Sequence, residues 1–413
     1  MNQSSAWVSL SALISIIFFS TIATTMVVTV LPAFFLELHL GPTKIGHIEG
    51  VAASTAFFSK FCAGLLSDCY QKRKSFILLG TGLSILSKGF FALATGFVSL
   101  LWIYLGDRIA KGLRSCPSDA LIADVTKSKQ VGFFYDLKYV FFLAGSIVGG
   151  CLTYLLLKNL HLSHFRVVFL LATLPACLAW VIAQKYLPEE EDPDTNERSS
   201  LSPPSRSFSS DASSSFSSPF WKQCFQFEKA FWQCLFVLFV LMFARFSTSF
   251  SGIKAIKLGL LVTELPRLVV LYDVSAAVAS LFAVLLSLKT TQPQLFKIAL
   301  IFHALAHTFF FVAQSKGLIL AGAVFSGAHL GLSQGVIMTF VSHFTQKENR
   351  GTAFSLYYLM AGMGGLLSNI LAGQMNEFFH SPSYAFLMGA IFCLISLALF
   401  HPLSKKFAYS AET

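Results

Sequence analysis

Residues 7–35 read WVSLSALISIIFFSTIATTMVVTVLPAFF, without one charged side chain. The run exceeds the roughly 20 apolar residues that cross the hydrocarbon core of a bilayer. Similar segments recur towards the C-terminus. Within hydrocarbon no water satisfies backbone N–H and C=O groups, so only helices or closed barrels span it. Apolar runs this long and unbroken leave helices, and the chain reads as an all-α membrane protein that crosses the bilayer many times.

Composition agrees with that reading: 55% of the 413 residues are hydrophobic, 12% are charged, and 44 are phenylalanine. A soluble domain does not carry such a surface. The net charge of +10 does not indicate nucleic acid, because Lys and Arg gather in alternate loops, as a topology signal does. The eight cysteines, Cys62, Cys69, Cys116, Cys151, Cys177, Cys224, Cys234 and Cys393, stand singly. With no CxxC or zinc-type spacing they read as small packing residues and imply no disulfide framework. The N-terminus MNQSSAWVSL lacks a basic region ahead of its apolar run, so that run is expected to be a retained first helix.

Cutting at charged and Gly/Pro-rich breaks gives about twelve spans. They lie near 7–35, 44–67, 75–95, 98–123, 132–157, 164–186, 229–251, 262–288, 294–314, 318–343, 352–378 and 385–402. One set of connections carries Lys72, Arg73, Lys74, Lys127, Lys129, Lys289, Lys347, Arg350, Lys405 and Lys406, against chiefly Lys44, Lys158 and Lys316 on the other. Under the positive-inside rule both termini are expected in the cytoplasm, with the chain in a plasma or bacterial inner membrane.

Between spans six and seven stands EEEDPDTNERSSLSPPSRSFSSDASSSFSSPFWKQ, rich in Ser, Pro and acid and without apolar periodicity. Such a segment is expected to be a disordered linker. The expected organisation is therefore an N-terminal six-helix bundle over 1–186, a linker over 187–228, and a second six-helix bundle with a short tail over 229–413. An internal repeat supports the division. Gly112, Gly132 and Gly145 stand 219 residues before Gly331, Gly351 and Gly364, and Tyr139 stands 219 before Tyr358.

After span two the chain reads Gly64-Leu65-Leu66-Ser67-Asp68-Cys69-Tyr70-Gln71-Lys72-Arg73-Lys74. Gly64 permits close helix approach, Asp68 can face the positive end of a neighbouring helix, and Lys72, Arg73 and Lys74 pin the loop to a membrane surface. Together they read as a conformational latch. The pattern resembles the loop signature of the major facilitator superfamily, with Cys69 and Gln71 where the family carries a basic residue and a Gly. That resemblance implies two six-helix bundles rocking about a central site. The repeat offset puts Ala283 and Ser287 where Gly64 and Asp68 stand, so the second copy lacks the carboxylate.

Span four, IYLGDRIAKGLRSCPSDALIADVTK, is the most polar segment, and a lone charge at the bilayer centre costs a few kcal/mol or more. At about 1.5 Å per residue Arg108 lies about 15 Å deep. Arg108-x-x-x-Gly112 resembles the superfamily's fourth-span motif, whose arginine is associated with coupling or substrate. The wider run, with residues 243–248, Arg350-Gly351-Thr352-Ala353-Phe354 and Gly364, is similar to a branch of mostly uncharacterised permeases. Asp107, Lys111 and Arg114 share a helix face and are expected to neutralise one another, whereas Arg108 points roughly 100° away from Asp107.

Span five holds Asp136, welcome in a first helical turn, and Lys138, which either lines a cavity or snorkels. Gly145, Gly149 and Gly150 form a small-residue packing stripe. Lys60, Lys88 and Arg245 are expected near helix ends, snorkelling outward. Asp273 is the carboxylate expected to couple to protons, and Glu264 and Arg267 are expected to pair. His303, His307 and His329 read as packing residues, with no two placed to hold a metal.

No nucleophile elbow, phosphate-binding loop or metal cluster is visible. The expectation is a monomeric secondary transporter, not an enzyme, with no cofactor or metal. It moves a small polar or anionic molecule, coupled to protons, with Arg108, Lys138 and Asp273 at the substrate or coupling site and Gly112, Gly145, Gly149, Gly150 and Gly364 packing helices. Two alternatives are an exporter of hydrophobic compounds and a transporter-like sensor or scaffold.

Overall fold

The computed structural model describes residues 3–70, 72–125, 131–159, 165–188, 227–287, 290–343 and 350–409. The expected linker falls almost wholly outside the described residues, as do the side chains of Asp68 and Asp136. The described chain forms twelve helical spans. The first six are α1 (Gln3–Glu37), α2 (Pro42–Tyr70), α3 (Arg73–Phe91), α4 (Phe97–Val125), α5 (Val131–Asn159), and the pair α6 (Phe165–Leu171) and α7 (Thr173–Tyr186). The second six are the pair α8 (Lys229–Met242) and α9 (Ser249–Lys257), then α10 (Leu265–Ser287), α11 (Gln292–Val312), α12 (Lys316–His343), α13 (Arg350–Phe378) and α14 (Tyr384–Tyr409).

Eight helical segments among the described residues are long and apolar enough to cross a membrane by length and composition. The spans that fall short are α2, α3, α4 and the broken α8–α9. In α2, α3 and α4 the charges Glu49, Lys88, Asp107 and Arg108 lower the apolarity, whereas α8 is apolar but only 14 residues long.

Packing follows the repeat. In the first half α1 lies against α5 and α7, α2 against α4, and α3 against α4 and α7. Shifted by six spans, α8 lies against α13 and α14, α10 against α12, and α11 against α12 and α14. The halves meet through α2 with α13 and through α5 with α10, two contacts that a twofold exchange of the halves converts into one another.

Both interfaces are antiparallel. Along the first, the Thr43 N–H donates to Glu377 Oε2 at 3.0 Å, Gly46 abuts Asn369 and Gly373, and Phe57 stacks on Tyr358 with ring centres 6.1 Å apart. Along the second, Arg267 donates to the Tyr154 hydroxyl at 2.5 Å and Ser146 to Asp273 at 2.5 Å. These contacts run from the end of the bundle opposite the chain termini towards its middle.

One expected continuous span is broken. Residues 243–248 leave the helix between α8 and α9. The backbone there is satisfied from neighbouring helices: Ser247 N–H donates to Asn369 Oδ1 at 2.8 Å, and the freed Ala244 carbonyl faces His303 and His307. Non-helical backbone at membrane depth is tolerated when protein groups take up its hydrogen bonds.

Candidate functional site

The α3–α4 pair carries the deepest charge. At Gly80 a Cβ would stand 2.7 Å from Arg114 N and 2.8 Å from Ala110 O, so glycine lets the two helices touch. That closeness delivers Lys88, with 0% of its surface exposed, to Asp107: Nζ donates to Oδ1 at 3.0 Å and to Ser84 Oγ at 2.6 Å. Lys88 therefore does not snorkel. Nor does Asp107 form a ladder with Lys111 and Arg114; its described ion pairs are with Lys88 and, at 3.5 Å, with Arg108 Nη2. The cross-helix pair wins because Lys88 has no exposed surface, and a buried ammonium without a partner costs more than a charge on the half-buried Lys111 or Arg114.

Arg108 lies with its guanidinium over the Tyr104 ring, 4.5 Å from the centroid. Its Nε is buried and has no hydrogen-bond partner. Gly112, one turn on, presses against Ser59 so closely that a Cβ would stand 2.7 Å from the Ser59 carbonyl carbon, and Ser59 Oγ donates to Arg108 O at 3.2 Å. Tyr104 in turn donates to Glu49 Oε2 at 3.2 Å, while Ser249 Oγ donates to Glu49 Oε1 at 2.5 Å. A chain of polar contacts thus runs from α9 of the second half through Glu49 on α2 to Tyr104 and Arg108 on α4. Glu49 escaped the sequence reading although it is the one acid within the apolar run 45–59.

The other expected site residues occupy separate networks. Lys138 on α5 forms an ion pair with Asp119 on α4. Asp273 is buried and accepts from Ser146, whose hydroxyl lies 3.0 Å from Thr25 Oγ1. Glu264 and Arg267 pair at 2.9 Å. In the loop after α2, a Cβ on Gly64 would stand 2.8 Å from Cys116 Sγ, Lys72 is exposed, and Lys74 donates to Leu187 O at 3.0 Å; the Asp68 side chain lies outside the described residues. The glycine stripe of α5 divides. Gly145 and Gly149 sit against the α1 carbonyls of Phe18 and Ile22, whereas Gly150 turns to Val270 of α10. Gly364 faces Met242.

Arg245 sits in the break between α8 and α9 and is engaged inside the bundle, not at a membrane surface. Nε and Nη2 donate to His329 Nε2 at 3.3 and 3.2 Å, and Nη2 donates to Ser333 Oγ at 2.9 Å. The three histidines expected as isolated packing residues are gathered: His303 stacks on His329 with centroids 3.9 Å apart, and His307 lies 4.5 Å from His303. Their sequence signal is the spacing of four between His303 and His307, which puts both on one face of α11. Lys254 on α9 is capped by the Phe310 and Phe311 carbonyls and Ser383 Oγ.

Comparison with known proteins accords with this architecture. The chain is 24% identical over 387 residues, 92% of its own length and 90% of the relative's, to an uncharacterized MFS-type transporter of Methanocaldococcus jannaschii. Its fold is similar to that of a bacterial homologue of the human lysosomal transporter Spinster in an inward-facing, unoccupied conformation, with a TM-score of 0.75 at 17% identity over 99% of each chain. It is also similar to the nucleoside transporter NupG, with a TM-score of 0.73 at 13% identity over 98% of this chain and 99% of that one. The sequence model of the Major Facilitator Superfamily matches residues 13–260 and 253–409. With its twelve spans, its paired halves and a family match along nearly its whole length, the chain belongs to the Major Facilitator Superfamily, and is an integral membrane transporter of small molecules, not an enzyme.

Proposed function

We propose that this transporter moves a small anionic or polar solute by alternating access, coupled to protons, with Arg108 as the principal anion-binding group. The observation that carries the reading is the buried Nε of Arg108, a donor without a partner on a guanidinium already oriented by the Tyr104 ring. Leaving such a donor unsatisfied costs about 1–3 kcal/mol, a penalty that an entering carboxylate or phosphate relieves with two-pronged hydrogen bonds. The charge balance points the same way. Among the described residues no carboxylate lies within 4.0 Å of Lys60, Lys111 or Arg114, while the carboxylates Asp107 and Asp119 are already paired with lysines.

In this reading residues 1–186 and 229–413 are the rocking units, joined by a cytoplasmic linker over 187–228 in a monomer. Both termini face the cytoplasm across a plasma or bacterial inner membrane. The contacts at the end opposite the termini then close the outer side. Asp273, buried against Ser146 where α5 meets α10, is the proton-carrying carboxylate, placed to loosen that contact when its charge changes.

Arg108→Ala and Arg108→Lys test the assignment. Uptake in proteoliposomes, normalised to folded protein, is expected to vanish for the first. The second should recover only part, because an ammonium keeps the charge but loses the planar fork. Full uptake per folded molecule in Arg108→Ala removes Arg108 from the site.

A further inference from the structure

Hydrogen bonds in the second half fix the protons of three buried imidazoles. His329 Nε2 accepts from Arg245, so its proton is on Nδ1, which donates to Ala299 O at 2.8 Å. His303 and His307 each present Nε2 to the Ala244 carbonyl, at 3.2 and 2.8 Å, and a carbonyl only accepts. Both rings therefore carry the proton on Nε2. The lone pair of each Nδ1 is left free, and both Nδ1 atoms are buried without a partner.

Cys393 on α14 completes the set. One ligand atom from each of His303, His307 and Cys393 lies within 4.8 Å of the others, with exposures of 7%, 4% and 1%. Gly389, one turn before Cys393, has no side chain, and the His307 ring fills that space; a Cβ there would meet the ring at 2.7 Å. The break at residues 243–248 supplies the Ala244 carbonyl, which orients two imidazoles as outer-shell acceptors do around metal centres. In a three-coordinate site, bonds of about 2.0–2.3 Å put the ligand atoms roughly 3.5–3.8 Å apart, so side-chain shifts of up to about 1 Å close the set.

We infer that His303, His307 and Cys393 form a buried site for one soft monovalent cation, copper(I), held by two imidazole nitrogens and a thiolate between α11 and α14. Ligand type and charge select the ion. Thiolate favours soft metals, and one thiolate neutralises one Cu(I), whereas a divalent ion leaves a net positive charge near Arg245 in a low-dielectric interior. Binding replaces the Cys393 S–H bond by an S–Cu bond, and the proton goes to water. The site is distinct from the polar chain at Arg108.

The purified full-length protein in detergent, reduced and anaerobic, is titrated with Cu(I) against bicinchoninate. One equivalent per chain is expected, with an X-ray absorption spectrum of two nitrogens and one sulfur and a raised unfolding temperature. Cys393→Ser and His307→Gln are each expected to weaken binding at least tenfold, while Cys177→Ser, an exposed thiol on α7, leaves it unchanged. Less than one equivalent on the wild-type protein overturns the proposal. A sulfur-free spectrum, or full-strength binding in Cys393→Ser, does the same. Uptake of Zn(II) without Cu(I) defeats the copper assignment, and because wild-type protein carries these readouts, a variant that fails to fold does not shield it.

Discussion

Lys88 persists without exposed surface in the first bundle because two acceptors reach it, Asp107 from α4 and Ser84 one turn away on its own helix. Truncating one member of such a pair leaves an uncompensated charge and costs about 3–5 kcal/mol. Lys88→Met is expected at the low end, about 3 kcal/mol, since Asp107 keeps Arg108 at 3.5 Å. The double variant Lys88→Met/Asp107→Leu should regain most of the loss, because apolar replacement of both partners is often neutral. Thermal unfolding in detergent compares the two, and a double variant no better than the single would disprove pairing as the reason for Lys88's burial. At this scale the sequence was a partial guide. It showed Arg108 and Asp107 as charges needing an account, but partners on other helices are set by contacts that helical periodicity along one element does not encode.

Helix existence was legible almost throughout, since apolar length alone determines it, and every expected span has a helical counterpart. The break at residues 243–248 was not legible: FARFST contains neither Pro nor Gly, and the groups that bond its freed backbone, His303, His307 and Asn369, lie on later helices. Close helix pairs were legible as glycines but not their directions, as the divided stripe of α5 shows. Gly112→Ala puts a methyl 2.6 Å from Ser59 Cβ and is expected to cost about 1–3 kcal/mol by forcing α2 from α4. Gly331→Ala meets Ser280 N at 2.8 Å and should behave likewise, whereas Gly335, with nothing within 4 Å, should accept alanine with no loss. Equal unfolding temperatures for all three variants would contradict the packing argument.

Across the whole molecule, the two half-to-half interfaces share one end of the bundle, so alternating access requires them to part together. Thr43→Cys/Glu377→Cys puts an oxidisable pair where the Thr43 backbone N–H now donates to the Glu377 carboxylate. Oxidation is expected to abolish uptake and reduction to restore it, measured on the same proteoliposomes. Undiminished uptake by fully cross-linked protein would mean that α2 and α13 never separate there.

The interrupted seventh span also constrains how the chain is made. Arg245 finds its partners 84 and 88 residues later, at His329 and Ser333, and Lys254 finds its own 56 to 129 residues later. When the ribosome delivers this span, none of those groups exists yet, and an Arg or Lys near a helix centre costs about 2.5–3.5 kcal/mol on insertion. Its apolar stretch Lys229–Met242 is only 14 residues long, well short of the roughly 20 needed to cross alone. The span is therefore expected to enter the membrane as a late arrival, held at the lipid surface or the translocon until α11, α12 and Ser383 follow. A chain truncated after Ser287 should leave Cys substituted at Ser249 open to a water-soluble maleimide, and the full-length chain should shield it.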